Sequence, residues 1–468
     1  MTPAAKPARA AVVLAAGRGT RFRSSLAKVL HPVAGRSMLR WVLEALRPLA
    51  LDSVVVVVGH QAAAVAAEAQ ASGLPGLRTV EQTEQHGTGH AVRVAVEQGA
   101  LDAVDEVLIT PGDVPLLEHA VLADLLAAAA GHAAALLSFT PADPGGYGRV
   151  LRDEAGRVTG IVEDRDAGAE QRRIGEVNSG IYAFARAPLA AALGELARDN
   201  VQGEEYLTDV IAPLAAAGVT AVPSPAGTLD GVNDRVQLAE AGAVLRRRIL
   251  ERLMYEGVSV VDPAATYVDA DVRVGPDTIL RPGTHLEGAT VIGAGADIGP
   301  DTRLVDATVG DGASVAQSVV RDAVVGAQAT VGPFSYLRAG TDLGARGKIG
   351  AYVETKQATV GEGAKVPHLS YVGDADIGAG ANIGAATVTA NYDGFAKHRT
   401  VIGPRARIGS DTMLIAPVTV GADAYTGAGS VITDDVPDGA LALSRSEQRT
   451  IEGYAARRAA RHAGKGEA

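Results

Sequence analysis

A glycine-rich segment near the N-terminus has residue types suited to chemistry on phosphate groups. Residues 15–21 read Ala-Ala-Gly-Arg-Gly-Thr-Arg, directly after an apolar run, and Lys28 follows. A glycine loop after a strand exposes backbone N–H groups to an anion, and Arg18 and Lys28 add positive charge where a phosphoryl group gathers negative charge. The segment lacks the Gly-Lys-Ser/Thr of a Walker loop and the third glycine of a dinucleotide fingerprint. Taken alone, it is also compatible with a plain turn.

Polar residues further along the first half could complete a nucleotide site. Gln82 and the segment 87–90, Gly-Thr-Gly-His, offer amide and hydroxyl groups suited to the edge of a base. Asp113 follows a predicted strand, where a carboxylate commonly binds a metal ion, although a helix-capping role is the alternative. Asn233 lies just before a predicted helix and is either a cap or an oxygen ligand.

A second group of polar residues interrupts a small-residue background in the second half. His368-Leu-Ser-Tyr371 is the most distinctive part of it. A lone histidine is usually a surface residue, but imidazole titrates near neutral pH and suits a general base. Burying charged or amide groups is costly, so we expect these side chains to face outward or into a groove between subunits. The group comprises 336–338, 353–356, 368–371, Asn382, Asn391, Tyr392 and Lys397.

Alternating strands and helices are predicted to position the polar residues of the first half. Short apolar runs at 12–16, 54–58 and 106–110 predict buried strands, and 37–46 and 91–97 predict helices. This alternation predicts a parallel sheet with helices on both faces. Ligands bind such sheets at the carboxyl ends of the strands, where the glycine loop and Asp113 fall. The strongly helical stretch 235–255 is predicted to connect this domain to the next.

The second half has an internal repeat of six residues. Aliphatic residues recur at this spacing from Val268 to Ile432, and a glycine or another small residue commonly follows each one. No helix has a strict period of six, whereas a parallel β-helix with a narrow core does. The segment 391–398 interrupts the six-residue repeat and is predicted to be an excursion loop. Ligand-binding residues commonly lie on such loops.

Composition limits the class of protein. The 468 residues carry a formal net charge of −11, which disfavours a dedicated nucleic-acid binder. The absence of cysteine excludes disulfides and thiolate chemistry. No apolar run reaches the length of about 18 residues that a membrane span requires. We therefore expect a cytoplasmic protein, and we expect no ordered element in the first ten residues or after Tyr454.

Together these motifs resemble those of the bacterial bifunctional N-acetylglucosamine-1-phosphate uridyltransferase/glucosamine-1-phosphate N-acetyltransferases. The resemblance runs from about residue 10 to about residue 455 and includes 146–148, 160–163 and 178–180. It implies a Rossmann-like α/β nucleotidyltransferase domain over 1–234, a connecting helix over 235–256, and a left-handed parallel β-helix acetyltransferase domain over 257–468. The implied product is UDP-N-acetylglucosamine, a precursor of peptidoglycan and lipopolysaccharide. The implied partners are small molecules and two further copies of the chain, in a homotrimer.

The resemblance also implies roles for individual residues of the first site. Arg18 and Lys28 would be catalytic, and Asp113 and Asn233 would carry Mg²⁺, with Asn233 also near the sugar. Residues implied to hold UTP are Leu14, Ala15, Ala16, Gly17, Lys28, Gln82, Gly87 and Thr88. Residues implied to hold the sugar are Gly148, Glu163, Asn178 and Asn233.

In the second site, the resemblance makes His368 the general base of acetyl transfer. Residues implied to hold glucosamine 1-phosphate are Arg338, Lys356, Tyr371 and Asn382. Residues implied to contact acetyl-CoA are Ala385, Asn391, Tyr392, Ser410, Ala428 and Arg445, with the Ala385 N–H as the oxyanion donor. Three positions depart from the family pattern, namely Ala27 for proline, Pro111 for an aromatic residue and Ala386 for glycine.

Two other functions fit parts of the sequence. One is a nucleotidyltransferase with a single activity, whose β-helix only assembles subunits, but such a scaffold does not need His368-Leu-Ser-Tyr371. The other is a non-catalytic subunit, which should have lost the glycine loop, Lys28 or Asp113, and all three are present.

Overall fold

Apolar runs without polar alternation form the central strands of the first half of the chain. The computed structural model describes residues 7–463. The chain divides into two units, Met1–Ile249 and Leu250–Ala468, and the division falls inside a helix, Arg235–Tyr255. The helix has the limits that its periodicity predicts, whereas the domain limits at 234 and 256 stay predictions.

The first unit is built on a mostly parallel sheet. The strands are β1 Arg9–Ala15, β2 Ser53–Val58, β3 Leu77–Glu81, β4 Glu106–Pro111, β5 Ala134–Phe139, β6 Arg149–Arg152, β7 Val158–Val162, β8 Val177–Ala185 and β9 Val219–Pro223. The order of the main path is β9-β5-β8-β4-β1-β2-β3, with β1 parallel to β2 and β4 and with β8 antiparallel to β4 and β5. Strands β6 and β7 form an antiparallel extension from β8.

Helices cover both faces of this sheet, with one buried cluster of side chains on each face. Helix α1 begins where Ser37 Oγ accepts a hydrogen bond from the Arg40 N–H, which is the N-cap arrangement that serine favours. The helices are α1 Met38–Leu46, α2 Ala62–Ala71, α3 Thr88–Glu97, α4 His119–Ala128, α5 Arg186–Leu193, α6 Ile211–Leu214 and α7 Arg235–Tyr255. A small hairpin pairs Pro32–Val33 with Arg36–Ser37.

The prediction for α3 was wrong by one turn, because the helix begins at Thr88 rather than at Ala91. A Cβ on Gly89 would lie 2.5 Å from Leu196 Cδ1 and 2.9 Å from the Glu205 carbonyl oxygen. This glycine therefore permits close packing inside the helix and does not mark a loop.

The second unit is a left-handed parallel β-helix. Residues of the predicted six-residue repeat, among them Leu280, Ile298, Leu343 and Leu414, are fully buried in its core. Strands of most successive coils pair in parallel at separations of 16 to 18 residues, as Arg303 does with Val319, Val319 with Tyr336 and His285 with Arg303. The hexapeptide interpretation of the sequence is confirmed.

The strands of the β-helix form two parallel sheets within the described chain. The first contains Ser259–Val260, Ile279–Leu280, Asp297–Ile298, Ser314–Val315, Thr330–Val331, Lys348–Ala351, Lys365–His368, Asn382–Ile383, Arg407–Ile408, Tyr425–Thr426 and Leu441–Ala442. The second contains Thr266–Val268, Arg273–Val274, Thr284–Glu287, Val291–Ile292, Arg303–Val305, Thr308–Val309, Val319–Arg321, Val324–Val325, Tyr336–Leu337, Asp342–Leu343, Glu354–Val360, Tyr371–Ile377, Val388–Ala390, Thr400–Ile402, Met413–Ile415, Val418–Val420 and Val431–Ile432.

The predicted excursion loop is present in one coil. Ala375 pairs with Thr400 there, so this coil is longer than the usual 16 to 18 residues. The extra residues project after the strand Val388–Ala390 and are closed by a bridge between Tyr392 and Lys397. The loop thereby adds polar side chains to a regular scaffold.

Both ends of the chain differ from the prediction, because β1 begins at Arg9, within the first ten residues, and the C-terminal tail is helical. Residues Tyr454–Ala463 form helix α8, with exposed side chains throughout. The segment is rich in alanine and arginine, which are strong helix formers. Residues 1–6 and 464–468 lie outside the described part. Between residues 7 and 463, no helix is both long and apolar enough to cross a membrane.

Candidate functional site

A cavity of ≈ 780 Å³ opens at the carboxyl ends of β1, β3 and β4 in the first unit. The glycine loop forms one wall of it, and the residues after β3 and β4 form others. All the residues predicted to hold the nucleotide line this cavity, as do Arg18 and Asp113. The lining also includes Arg21, Gln85, Pro111 and Glu204, which were not predicted as site residues.

Oxygen atoms of Asp113 and Asn233 converge on one cation, the ammonium of Lys28. Lys28 Nζ makes an ion pair with Asp113 and lies 2.9 Å from Asn233 Oδ1. Arg21 donates a second hydrogen bond to the same amide oxygen, at 2.9 Å. The two residues predicted to carry a metal ion are therefore neighbours, although 120 positions separate them in the sequence.

The alternative prediction, that Asp113 and Asn233 cap helices, is wrong. Asp113 lies in a turn, and α4 begins only at His119. Asp234, not Asn233, caps α7, because its Oδ1 accepts hydrogen bonds from the N–H groups of Val236 and Gln237. The Asn233 side chain is thus free of a capping role and faces Lys28.

The loop around Gly87 is held by a segment distant in sequence. The Gly89 N–H donates to the Glu205 carbonyl at 2.8 Å, and the Glu205 N–H donates to the His86 carbonyl at 2.7 Å. Thr88 Oγ1 accepts from the Leu207 N–H at 3.1 Å. A Cβ at Gly87 would lie 2.5 Å from the Glu205 carbonyl oxygen, so only glycine fits there.

A buried ion-pair cluster stabilises this contact. The Glu205 carboxylate accepts hydrogen bonds from Arg93 at 2.8 Å and from Arg198 at 2.8 Å. Burial raises the pKa of the Glu205 carboxyl, but the hydrogen bonds from Arg93 and Arg198 outweigh burial and hold this pKa below its ordinary value. Nothing in the local sequence singles out Glu205, so this cluster was not predicted.

Replacing Glu205 with alanine should lower the free energy of unfolding of the first unit by about 2 kcal/mol, because two guanidinium groups lose a buried partner. The only tryptophan, Trp41, lies in α1, so urea denaturation followed by its fluorescence reports on this unit. Because the hydrogen bonds lower the pKa of Glu205 in the folded protein, the stability difference should be full above the ordinary glutamate pKa and should be lost as the pH falls from there through the lowered pKa.

Glu97→Ala is the matched control for that measurement. Glu97 also pairs with Arg93, at 2.8 Å, but its side chain is 56% exposed. Such pairs contribute about 0.5 kcal/mol or less. Equal losses for Glu205→Ala and Glu97→Ala would contradict the stabilising role of the cluster.

The residues predicted to hold the sugar form a second cluster in the same unit. The Asn178 N–H donates to the Gly148 carbonyl at 2.8 Å, and a Cβ at Gly148 would lie 3.5 Å from Glu163 Oε2. Thr208 donates to Glu163 Oε1 at 2.9 Å. Burial raises the pKa of Glu163, and the carboxylates of 164, 166 and 209 raise it further. Gly148, Glu163 and Asn178 do not line the cavity described above.

Tyr147 directly precedes Gly148 of this cluster, and Asp113 is among the charged groups near its hydroxyl. Its hydroxyl donates to Asp230 at 3.4 Å. Burial, together with the nearby carboxylates of Asp230 and Asp113, raises the pKa of Tyr147 to about 12. Tyr147 therefore stays protonated and remains a hydrogen-bond donor at this position.

In the β-helix, four predicted residues occupy equivalent positions of successive coils. The pairings of 365 with 382, 382 with 407, and 407 with 425 place His368, Ala385, Ser410 and Ala428 in one column along a corner. Arg445 Nη1 donates to the Ala428 carbonyl at 3.3 Å and so reaches the end of this column. The side chains of His368 and Ser410 are exposed along it.

Two of the residues predicted to hold glucosamine 1-phosphate form a second column beyond the same corner. Arg338 and Lys356 lie on adjacent coils, where the Arg338 N–H donates to the Thr355 carbonyl. The ammonium of Lys397, from the excursion loop, lowers the pKa of Lys356. A cluster of like charges of this kind is electrostatically suited to an anion. Glu354 balances part of the charge through an ion pair with Arg338 at 2.7 Å.

Asn391 and Tyr371 meet beside this second column. Asn391 Nδ2 lies 3.5 Å from the Tyr371 hydroxyl and also donates to Asp374. Gly373 leaves the necessary space, because a Cβ there would collide with both the Tyr371 hydroxyl and the Asn391 amide. Tyr392, by contrast, is 61% exposed on the loop, and its hydroxyl donates to the Gly394 carbonyl. Asn382 lies in the strand that pairs with Lys365.

Two of the three departures from the family pattern have a structural consequence. The Ala27 N–H donates to Gln61 Oε1 at 3.1 Å, a hydrogen bond that proline would lack. Ala386 has φ = 61°, a left-handed conformation that costs alanine about 1 kcal/mol relative to glycine. Pro111 lines the cavity without a polar side chain.

Comparison with known proteins agrees with this division of the chain. A model described as a MobA-like NTP transferase domain matches residues 11–217, and one described as bacterial transferase hexapeptide (six repeats) matches residues 399–434. A "Bifunctional protein GlmU" from Streptomyces avermitilis is 53% identical over 97% of this chain and 95% of its own length. Proteins of the same name from Thermobifida fusca and Mycolicibacterium vanbaalenii are 55% and 53% identical over 97% and 96% of this chain, and over 95% and 93% of their own lengths.

Proposed function

The chain belongs to the bifunctional GlmU family, and we propose that each of its two units carries one site for the synthesis of UDP-N-acetylglucosamine. It is a bifunctional transferase, with a nucleotidyltransferase domain and a hexapeptide acetyltransferase domain. The β-helix transfers acetyl from acetyl-CoA to glucosamine 1-phosphate. The α/β domain transfers uridylyl from UTP to N-acetylglucosamine 1-phosphate. The observation that carries the proposal is the presence, in one chain, of the Lys28-Asp113-Asn233 group and the His368 column.

Uridylyl transfer needs no nucleophile from the protein, because the attacking sugar phosphate is already an anion. One of its oxygens forms a bond to the α-phosphorus of UTP, the bond from that phosphorus to the bridging oxygen breaks, and pyrophosphate leaves. The protein aligns the reactants and neutralises charge. The glycine loop offers N–H groups to the triphosphate, Arg18 and Lys28 offer positive charge, and the cluster of Gly148, Glu163 and Asn178 holds the sugar.

Mg²⁺ fits the group of side chains around Asp113. Within residues 7–463, no group of three or more His, Cys, Asp or Glu side chains could hold a metal ion. A carboxylate oxygen and an amide oxygen nevertheless converge on the Lys28 ammonium. Mg²⁺ prefers oxygen ligands and takes few of them from the protein, so Asp113 and Asn233 would hold it. When bound, it would neutralise charge on the phosphate oxygens.

In the β-helix, His368 takes a proton from the 2-amine of glucosamine 1-phosphate as the nitrogen attacks the thioester carbonyl. The bond from that carbon to sulfur then breaks, and coenzyme A leaves with a proton. Ala385 lies on the neighbouring coil of the same column, and its N–H stabilises the oxyanion in this proposal. Arg338 and Lys356, with Tyr371 and Asn382, hold the sugar phosphate. Asn391, Tyr392, Ser410, Ala428 and Arg445 hold coenzyme A.

Exposed apolar side chains form a ridge at the corner of the β-helix that carries His368. This ridge supports a homotrimer with sites between subunits. Phe334 and Tyr352 stack with their ring centroids 5.3 Å apart and are 51% and 60% exposed, and Leu369 is 60% exposed. A second copy that packs on this ridge would cover it beside His368. Light scattering should give about three times the chain mass of 47.6 kDa, and a monomer would contradict intersubunit sites. We also propose a cytoplasmic location for the enzyme.

Two separate assays test the proposed function. The protein with N-acetylglucosamine 1-phosphate, UTP and Mg²⁺ should release pyrophosphate, and the protein with glucosamine 1-phosphate and acetyl-CoA should release free coenzyme A. Failure of either reaction would contradict the role of the corresponding unit.

A further inference from the structure

The side-chain amide of Gln82 has an orientation that its neighbours determine. Gln82 is 3% exposed, at the end of β3, and lines the cavity. Its Nε2 lies 3.1 Å from the Gly87 carbonyl oxygen and 2.9 Å from His90 Nδ1. A carbonyl oxygen can only accept a hydrogen bond. The atom that faces Gly87 is therefore the amide nitrogen and not the amide oxygen.

This orientation also determines the tautomer of His90. An amide nitrogen donates and does not accept, so Nδ1 of His90 must be the acceptor and its hydrogen must be on Nε2. Both hydrogens of the Gln82 amide are then used inside the protein. The atom of Gln82 that remains for a ligand is Oε1, which is an acceptor.

The surroundings of His90 favour this neutral form. Burial lowers the pKa of His90, the Glu205 carboxylate opposes this effect, and Arg93, His86 and Arg198 lower the pKa further. The ring of His86 is the neighbour of the His90 ring, with centroids 5.2 Å apart. A protonated His90 would present a donor to the Gln82 amide and would favour its rotated form.

A fixed acceptor at Gln82 distinguishes between pyrimidines. Uracil carries a hydrogen on N3 and can donate to Oε1, whereas cytosine has an unprotonated N3, which is itself an acceptor. We propose that His90 is a positioning residue that holds the Gln82 amide in one orientation and thereby makes the cavity select UTP over CTP. This inference rests on the proposed uridylyl transfer. His90 does not line the cavity, so it acts through Gln82.

Two substitutions at His90 distinguish the effect of its hydrogen-bond acceptor from the effect of its ring volume. His90→Phe keeps the ring volume and removes one of the two acceptors that hold the Gln82 amide nitrogen, so only the Gly87 carbonyl then opposes rotation of the amide. The ratio of kcat/KM for UTP to that for CTP should then fall about 2- to 10-fold, the effect of one lost hydrogen bond. His90→Asn places Oδ1 where Nδ1 was, and it should keep the ratio near that of the unchanged protein. Pyrophosphate release with each nucleotide gives both values.

His86→Phe is the control, because His86 bonds to Glu84 at 2.9 Å and does not bond to Gln82. It should leave the ratio unchanged. Acetyl transfer and Trp41 fluorescence show that each variant is folded, and His90→Leu, which also lacks an acceptor, replaces His90→Phe if that variant does not fold.

The possible results distinguish this inference from the proposed function. If the unchanged protein makes no UDP-sugar, the uridylyl transfer itself is wrong. If it does, but the ratio is the same in His90→Phe, or falls equally in His90→Phe and His90→Asn, the positioning role of His90 is wrong.

Discussion

Asp113→Ala should reduce UDP-sugar formation by about 10³-fold or more, with acetyl transfer unchanged. The substitution removes the carboxylate that pairs with Lys28 and lies beside Asn233. Phosphoryl transfer depends almost entirely on positioning and on charge stabilisation, so one misplaced charged group has a large effect. EDTA should have the same selective effect on the unchanged protein if Asp113 and Asn233 hold Mg²⁺.

The control for Asp113→Ala is another carboxylate of the same unit. Asp153 pairs with Arg157 at 2.7 Å in a surface turn, away from the cavity, and Asp153→Ala should be almost fully active. Trp41 fluorescence should be the same in both variants. An equal loss of both activities in folded Asp113→Ala protein would contradict the assignment, as would full uridylyl transfer.

The second large effect is expected for His368→Ala, which should lower kcat of acetyl transfer by about 10²- to 10⁴-fold. General-base catalysis by His368 accounts for this range, because the amine of the substrate must lose a proton as the new C–N bond forms. Release of pyrophosphate from UTP and N-acetylglucosamine 1-phosphate should be unchanged. The measurement is coenzyme A release at saturating glucosamine 1-phosphate, which separates kcat from substrate binding.

His285→Ala is the control for a histidine in the same β-helix. His285 stacks on Tyr267 with ring centroids 4.6 Å apart, in coils that lie before the His368 column. This variant should keep both activities. Near-normal acetylation by His368→Ala would refute the base role of His368.

The regular elements could be predicted from the sequence because one-dimensional patterns determine them. Helix α7 has its predicted limits, since its apolar positions recur at helical spacing from Arg235 onward. The β-helix core could be predicted because each coil repeats the same aliphatic position, as at Leu280 and Leu343. The start of α3 could not, because Gly89 looks like a loop residue unless its contact with Glu205 is known.

The residues of the candidate sites could be predicted only where they belong to a recognisable sequence motif. Asp113 and Lys28 stand out in sequence, but their ion pair is a tertiary contact. The cluster of Glu205 with Arg93 and Arg198 was not predicted, because glutamate and arginine are ordinary surface residue types. They form a buried ion-pair cluster only when the fold brings residues 93 and 205 together. The contacts of Gln82 with His90 were missed for a different reason, since the sequence shows the residues but not the orientation of an amide.

We propose that this one chain carries out both reactions at separate sites. The most direct test gives the purified protein glucosamine 1-phosphate, acetyl-CoA, UTP and Mg²⁺ and follows free coenzyme A and pyrophosphate separately. We predict release of both products, with pyrophosphate appearing only when acetyl-CoA is present. Release of coenzyme A alone, or of pyrophosphate without acetyl-CoA, would contradict the account.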